Sequence, residues 1–414
     1  MKNPKNRQVD VLVIGAGPAG TVASTYLNSK GIDVLVVEKA KFPRFVIGES
    51  LLPRCMDIFE EVGLLKFLEK QNYQKKKGVI FKKDGEDSMF DFSEQFTAGR
   101  SETWQVPRAH FDKVLTDGAQ ELGVPILFEV GATAVELHDN HQVTTVEDAE
   151  GNQYEITSKF IIDSSGYGRI LPKLLKLDED SSLPIRTTMF THFYDKKREE
   201  YKAESEYIVY LVNPHHYVWN IPFANNTTSI GVVGENEIFD AKEGGVKEKL
   251  TQLLEDEPYF KKRYNSEDVV FEPKMLKGFS VGVKKLYGNG YVLTGNSTEF
   301  LDPIFSSGVT LATESAIMGA KLVEKEIKGE SVDWEKEYEE PVRFGIDVFK
   351  TYVNAWYDQS LHRIFFTENH SENFRRQICS ILAGYVWDME NPCVKRYKTI
   401  LSTLDKILEI QHDE

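Results

Sequence analysis

Gly15, Gly17 and Gly20 stand on a G-x-G-x-x-G spacing, with Pro18 and Ala19 between the last two. Each glycine answers a separate demand: the first makes a tight turn, the second lets the backbone approach a pyrophosphate, and the third lets a helix pack against a strand. A helix opening at Pro18 would offer unpaired N–H groups and a positive end to the phosphates. Glu38, with Lys39 beside it, follows as an acceptor for a ribose hydroxyl. The chemistry these residues can do is to hold a dinucleotide.

Those residues need a strand, a helix and a second strand to place them. Val9–Ile14 is a nearly continuous apolar run broken by Asp10, as a buried parallel strand should be. The pattern predicts a helix over Pro18–Lys30, stopped by Gly31, and a second strand over Asp33–Val37 that ends in Glu38. This is a complete βαβ opening. Arg54–Leu65 and Ala109–Leu122 read as helices, and Phe160–Asp163 as a short buried strand.

From about Thr187 to Val283 the texture changes to β-branched and aromatic runs, at Thr187–Tyr194, Tyr207–Val212, Tyr217–Phe223 and Thr228–Val233. Alternation and short polar turns make these an antiparallel sheet. Tyr291–Thr294 returns to the buried-strand pattern, Gly308–Lys328 reads as a helix, and the chain beyond Trp334 is helical in character. Strand signals of the first kind thus resume after the second. The expected organisation is a dinucleotide-binding unit in two pieces, 1–180 and 284–330, an antiparallel-sheet substrate unit, 181–283, and a C-terminal helical region, 331–414.

A chain of 414 residues exceeds the roughly 250 at which a single core usually divides. A formal charge of −15 argues against nucleic acid, because phosphate backbones need a basic surface, and leaves a small molecule as the expected partner. The polar segment Met1–Asp10 lacks the apolar stretch of a signal peptide, and no run approaches the ~18 apolar residues of a membrane helix. Cys55, Cys379 and Cys393 are an odd set without C-x-x-C spacing. They fit reduced thiols, so a cytoplasmic location without an integral membrane segment is expected. No metal site is read.

Phe160-Ile161-Ile162-Asp163-Ser164-Ser165-Gly166 resembles the strand-to-glycine turn near the FAD adenine in the aromatic hydroxylase and halogenase superfamily. Tyr291-Val292-Leu293-Thr294-Gly295-Asn296, with Asp302-Pro303 and Ser306-Ser307-Gly308-Val309, is similar to that superfamily's second flavin segment. There an acid holds the ribityl chain, a position taken here by Asn296, which offers a carbonyl acceptor without charge. A helix starting near Gly308 would aim its positive end at the isoalloxazine. The resemblance implies an α/β fold: an FAD-binding Rossmann-like domain of the glutathione-reductase and aromatic-hydroxylase type, interleaved with the antiparallel substrate sheet and followed by the helical region.

It is more specific at Gly48-Glu49-Ser50-Leu51-Leu52-Pro53, after Phe42-Pro43-Arg44, which looks like the G-E-S-x-x-P segment of flavin-dependent halogenases. Gln105-Val106-Pro107-Arg108 with Phe111-Asp112 resembles a stretch whose arginine lies along the cofactor. By this resemblance Gly15, Gly17, Pro18, Ala19, Gly20, Glu38, Lys39, Arg44, Glu49, Ser50, Arg108, Asp163, Gly166, Gly295, Asn296, Pro303, Ser307, Gly308 and Val309 are expected to bind FAD.

Tyr217-Val218-Trp219-Asn220-Ile221-Pro222 stands between two chemistries. Halogenases carry W-x-W-x-I-P and geranylgeranyl-type reductases Y-x-W-x-F-P, so Trp219 is a candidate for either. Lys76-Lys77-Gly78 resembles the halogenase lysine that captures hypohalous acid, although Lys76 belongs to a charge run that a solvated face would also explain. The resemblance implies that reduced flavin reacts with oxygen to a C4a-hydroperoxide, which passes oxygen or halogen to an aromatic, free or carrier-bound, small molecule. Reduction of an apolar, prenyl-like alkene is the alternative, and a non-catalytic flavoprotein another. No second strand–G-x-G-x-x-G–helix unit occurs. Electrons would therefore come from transient NAD(P)H or a separate flavin reductase.

Overall fold

The computed structural model describes residues 7–367 and 372–413, so the polar segment at the start lies outside the described residues up to Asn6. Strand Arg7–Ile14 is the centre of a sheet in which Tyr291–Leu293, Gln153–Asp163, Arg7–Ile14, Val34–Glu38 and Ile126–Phe128 run side by side and parallel. Val11, Leu12 and Val13 are fully buried, which a strand covered on both faces requires. The helix Pro18–Ser29 packs beside the helix Gly308–Ile327, and Gly295 sits where they converge, since a Cβ there would lie 3.4 Å from Ala19 and 3.3 Å from Ala312.

Parallel order brings the carboxyl ends of these strands to one edge. Gly15 follows Ile14, Glu38 ends its strand, Ser164 follows Asp163, and Gly295 comes two residues after Leu293. Ligands of open α/β sheets bind in that crevice.

The second sheet has the order Lys274–Lys277, Thr187–Tyr194, Thr227–Gly234, His216–Pro222, Tyr207–Val212, Gly78–Lys83 and Glu86–Asp91. Its first five strands are antiparallel, as their alternation predicts. The last two correct the sequence division, which placed 78–91 in the dinucleotide unit. Gly78–Lys82 pairs in parallel with Tyr207–Leu211, a partner far along the chain that local pattern does not reveal. One face of this sheet carries Phe190, Tyr210 and Trp219 toward the first layer, while Met189, Phe193 and Val218 pack on the helix Val246–Glu255.

The C-terminal helices join the same large core through Phe349, Tyr352, Trp356 and Phe365. Tyr338 is buried and donates to the Leu293 carbonyl at 2.5 Å, so this region is anchored on the end of a central strand. Among the described residues no helix is long and apolar enough to cross a membrane.

Candidate active site

A trough runs along the carboxyl edge of the first sheet and under the second. Gly15, Gly17, Pro18, Ala19, Glu38, Arg44, Glu49, Ser50, Arg108, Gly166, Gly295, Asn296, Pro303, Ser307, Gly308 and Val309 all line its main cavity, and Trp219 closes the far side. Gly15, Glu38, Ser165 and Gly168 also line a second hollow with Lys39, Lys41 and Asp148, which extends the trough past the end of Glu38. An elongated groove of this kind suits a dinucleotide.

The glycine loop fits the pyrophosphate role. Gly15 has φ +98° and a Cβ there would meet the Ser164 carbonyl, so only glycine fits. Gly17 faces open space, with the Arg44 guanidinium 3.6 Å from where a Cβ would stand, and the helix behind it has no side-chain cap. The helix at Gly308 is likewise uncapped, so two positive helix ends meet the same trough. Gly20 does not line the cavity: it is the closest contact of helix and turn, and a Cβ would strike the Gly15 carbonyl.

Glu38 accepts from the Ala16 N–H at 2.9 Å and the Ala40 N–H at 2.8 Å, which ties the strand end to the glycine turn and leaves each oxygen a further lone pair for a hydroxyl. Arg108 donates twice to Asp112, at 2.9 and 3.1 Å, and to the Ile47 and Gly48 carbonyls, while Arg44 donates to Asp112 at 3.0 Å. Two guanidinium groups are thus fastened to one buried carboxylate at the cavity wall.

Asp163 is displaced from its expected role. It is fully buried, outside the cavity lining, and accepts from Ser165 N–H, Leu171 N–H and the Ser297 hydroxyl. Burial raises its carboxyl pKa, and these donors oppose the shift. The residue shapes the Ser164–Gly168 turn, and the neighbours Ser164, Ser165 and Tyr167 line the cavity in its place.

Trp219 lines the cavity, but its indole N–H is taken by Ser229 Oγ at 3.1 Å. Its ring lies over Gly231, the directly opposite residue of the next strand, where a Cβ would collide with the indole. Tyr217, two residues earlier, is fully buried and donates to Asp302 Oδ1 at 2.8 Å. Tyr357 donates to the other oxygen at 2.6 Å. Asp302 lines the cavity, and burial raises its pKa against the pull of these donors. Neither tyrosine shows a pattern along the chain that would connect it to this aspartate.

Lys76 does not line the cavity, and it does not share the environment of its run. The Lys75 and Lys77 side chains are 57% and 36% exposed and pair with Glu102 and Glu206, whereas Lys76 is 1% exposed. Its Nζ donates to the Leu51 carbonyl at 2.8 Å and lies 5.4 Å from the Phe92 ring. Burial without a carboxylate partner pushes its pKa down from 10.5 to about 7.

Lys76 and the cavity share one small ladder. Thr103 is opposite Lys76, Gln105 is opposite Gln74, and Ser50 bridges to Gln105 from the other side. Opposed and alternate residues of such a ladder share a face, so Lys76, Thr103, Gln105 and Ser50 form a row, with Ser50 on the cavity. All four are buried, and Ser50 Oγ, Thr103 Oγ1 and both amide atoms of Gln105 find no hydrogen-bond partner among the described residues. Thr103 and Gln105 carry no sequence signal of this kind.

Two helix ends, a glycine cradle and an elongated trough on the sheet's carboxyl edge define a dinucleotide-binding protein. The family model described as "FAD binding domain" matches residues 8–256, and the chain belongs to that family. A 1H-pyrrole-2-carbonyl-(peptidyl-carrier protein) chlorinase of Pseudomonas fluorescens is 27% identical, over 97% of this chain and 92% of its own length. A tryptophan 2-halogenase of Chondromyces crocatus is 30% identical, over 77% of this chain and 62% of its own length. A solved flavoprotein/dehydrogenase from Cytophaga hutchinsonii superposes with a TM-score of 0.96 at 48% identity, covering 98% of this chain and all (100%) of that one. The protein is an FAD-dependent oxidoreductase of the halogenase and monooxygenase superfamily.

Proposed function

We propose that this enzyme is a halogenase of electron-rich aromatic substrates and that Lys76 receives the oxidised halogen. The observation that carries this reading is the burial of Lys76 without an acidic partner, which leaves its amine partly neutral near pH 7. A neutral amine is a nucleophile and an ammonium is not. FAD, held by the glycine loop, Glu38, Arg44 and the Gly308 helix end, supplies the oxidation of halide by oxygen when reduced.

On the protein's side, Nζ takes the halogen from hypohalous acid, and its displaced proton leaves with the hydroxide as water. The aromatic carbon then takes the halogen from nitrogen, and the proton lost from that carbon restores the amine. Ser50, Gln105 and Thr103 offer hydrogen-bonding groups to hypohalous acid between the cavity and Lys76. Carrier-bound pyrroles are the substrate class to try first, because the carrier-protein chlorinase matches nearly the whole chain. Electrons come from a separate flavin reductase or from transiently docked NAD(P)H, since the chain carries a single dinucleotide fingerprint.

The test is turnover with reduced FAD, oxygen and either chloride or bromide on pyrroles, phenols and indoles, free and as carrier thioesters. Halogenated product is expected, with a loss of about 10²-fold or more in Lys76→Ala while flavin reoxidation continues. Lys77→Ala is expected to be silent. Product formed without halide would replace the reading by hydroxylation, and anaerobic saturation of an alkene would replace it by reduction.

A further inference from the structure

Glu49 lines the cavity, and its carboxylate, 1% exposed, lies with Oε1 2.6 Å from His192 Nε2 and also interacts electrostatically with the buried Arg108. Neither Glu49 oxygen nor Nε2 has a hydrogen-bond partner among the described residues, so the contact is an ion-pair approach. The contact joins the segment before the helix Pro53–Glu61 to the strand Thr187–Tyr194 of the second sheet. We propose that His192 is a positioning residue for Glu49 which passes protons between solvent and the Glu49 carboxylate inside the cavity, an inference that rests on the cavity being the flavin site.

The pair has the features such a relay needs. A buried carboxylate requires a charged or donating neighbour, and an imidazole is one that also exchanges protons. Imidazole can both give and accept a proton in the neutral range. His192 shares a face with Thr188, which lines the cavity, and Phe190, yet 12% of its side chain reaches solvent although Nε2 is buried. One end of the residue thus faces Glu49 and another part faces water.

Its surroundings leave that exchange undisturbed. The ring is boxed by Phe271, Phe223 and Phe45, with centroids 4.8, 5.1 and 6.2 Å away, and none of these accepts its protons as a base. The charged groups on the packed elements are Glu49 itself, Arg108, which interacts electrostatically with Glu49, Arg44 beside Phe45, Glu272 beside Phe271, Lys274, which sits 4.3 Å from the Phe45 ring and 5.3 Å from that of Phe271, and Arg198, which donates to the Phe223 carbonyl. Phe45 is 38% exposed and stacks on Phe190 at 5.9 Å, so the box lies at the molecular surface.

The step moves no electrons. A proton leaves Nε2 for Oε1, the carboxyl hands it to an acceptor in the cavity, and His192 takes another from solvent.

The first measurement is made on the FAD-free chain labelled with 15N in its imidazoles, with His192 assigned by the signal lost in His192→Gln. At one fixed pH its ring 15N resonances are expected to move in Glu49→Gln, and unchanged resonances overturn the pairing. FAD affinity, read by fluorescence quenching, is expected to be the same in wild type and His192→Gln; a wild type that binds no FAD removes the flavin reading but leaves the pairing to be judged by the resonances. In the FAD-loaded enzyme, His192→Ala is expected to slow turnover about 10²-fold in its pH-dependent limb and to recover with added imidazole. Loss that is equal at every pH and unrescued would mean a purely structural contact and overturn the relay.

Discussion

The Tyr357 hydroxyl donates to Asp302 Oδ2 across 2.6 Å, and so fastens the last turn of the helix Glu340–Tyr357 to the loop that opens the helix Gly308–Ile327. Asp302 Oδ1 is held by Tyr217 and by the Ile304 N–H. All three layers therefore meet on one buried carboxylate beside the cavity.

Tyr357→Phe should cost about 1–3 kcal/mol, because it leaves a buried carboxylate oxygen short of a donor. Loss of that donor raises the Asp302 pKa further above its already elevated position, so the variant's deficit should be larger in alkaline than in acid solution. Urea unfolding of both proteins across pH measures this. FAD affinity should fall with it, since the loop carries Pro303 and leads to Ser307 and Gly308.

Gly17→Val should abolish FAD binding while leaving the fold. The space in front of Gly17 is bounded at 3.6 Å by Arg44 rather than by packed core, so the side chain would occupy the phosphate position without disturbing the sheet. Calorimetric titration with FAD and a far-ultraviolet spectrum check the two halves of this expectation.

Lys76→Met should stabilise the chain near pH 7 by an amount on the order of a few kcal/mol, because it removes a buried amine that lacks a counter-charge. The folded-state pKa of about 7 lies below the ordinary 10.5, so the unfolded chain binds the extra proton between those values. Wild-type stability should consequently rise with pH over that window, and the advantage of Lys76→Met should shrink. Denaturation midpoints of the two proteins at pH 7 and at higher pH measure the gap; one that widens would contradict the sign.

Gly231→Ala should destabilise by about 1–3 kcal/mol and shift the Trp219 emission. Its methyl would collide with the indole that rests on the opposite strand, and the ring can yield only toward the cavity or by breaking its bond to Ser229. Thermal unfolding and tryptophan fluorescence report both effects.

By itself the sequence determined the features whose causes are local. A glycine loop between an apolar strand and a helix needs only neighbouring residues to define its geometry, and alternation along Thr187–Tyr194 or Thr227–Gly234 exposes the sheet period in the chain itself. FAD was legible for the same reason, through short contiguous segments. Tertiary structure alone decided which way Lys76 points within three consecutive lysines, because a strand alternates faces and only the partner Thr103–Gln105 says which face is covered. It likewise decided that Gly78–Asp91 joins the second sheet, that His192 meets Glu49, and that Tyr217 and Tyr357 converge on Asp302. Each of these joins residues far apart along the chain, where the selecting force is packing between layers and the need to partner a buried charge, neither of which leaves a periodic trace in either segment alone.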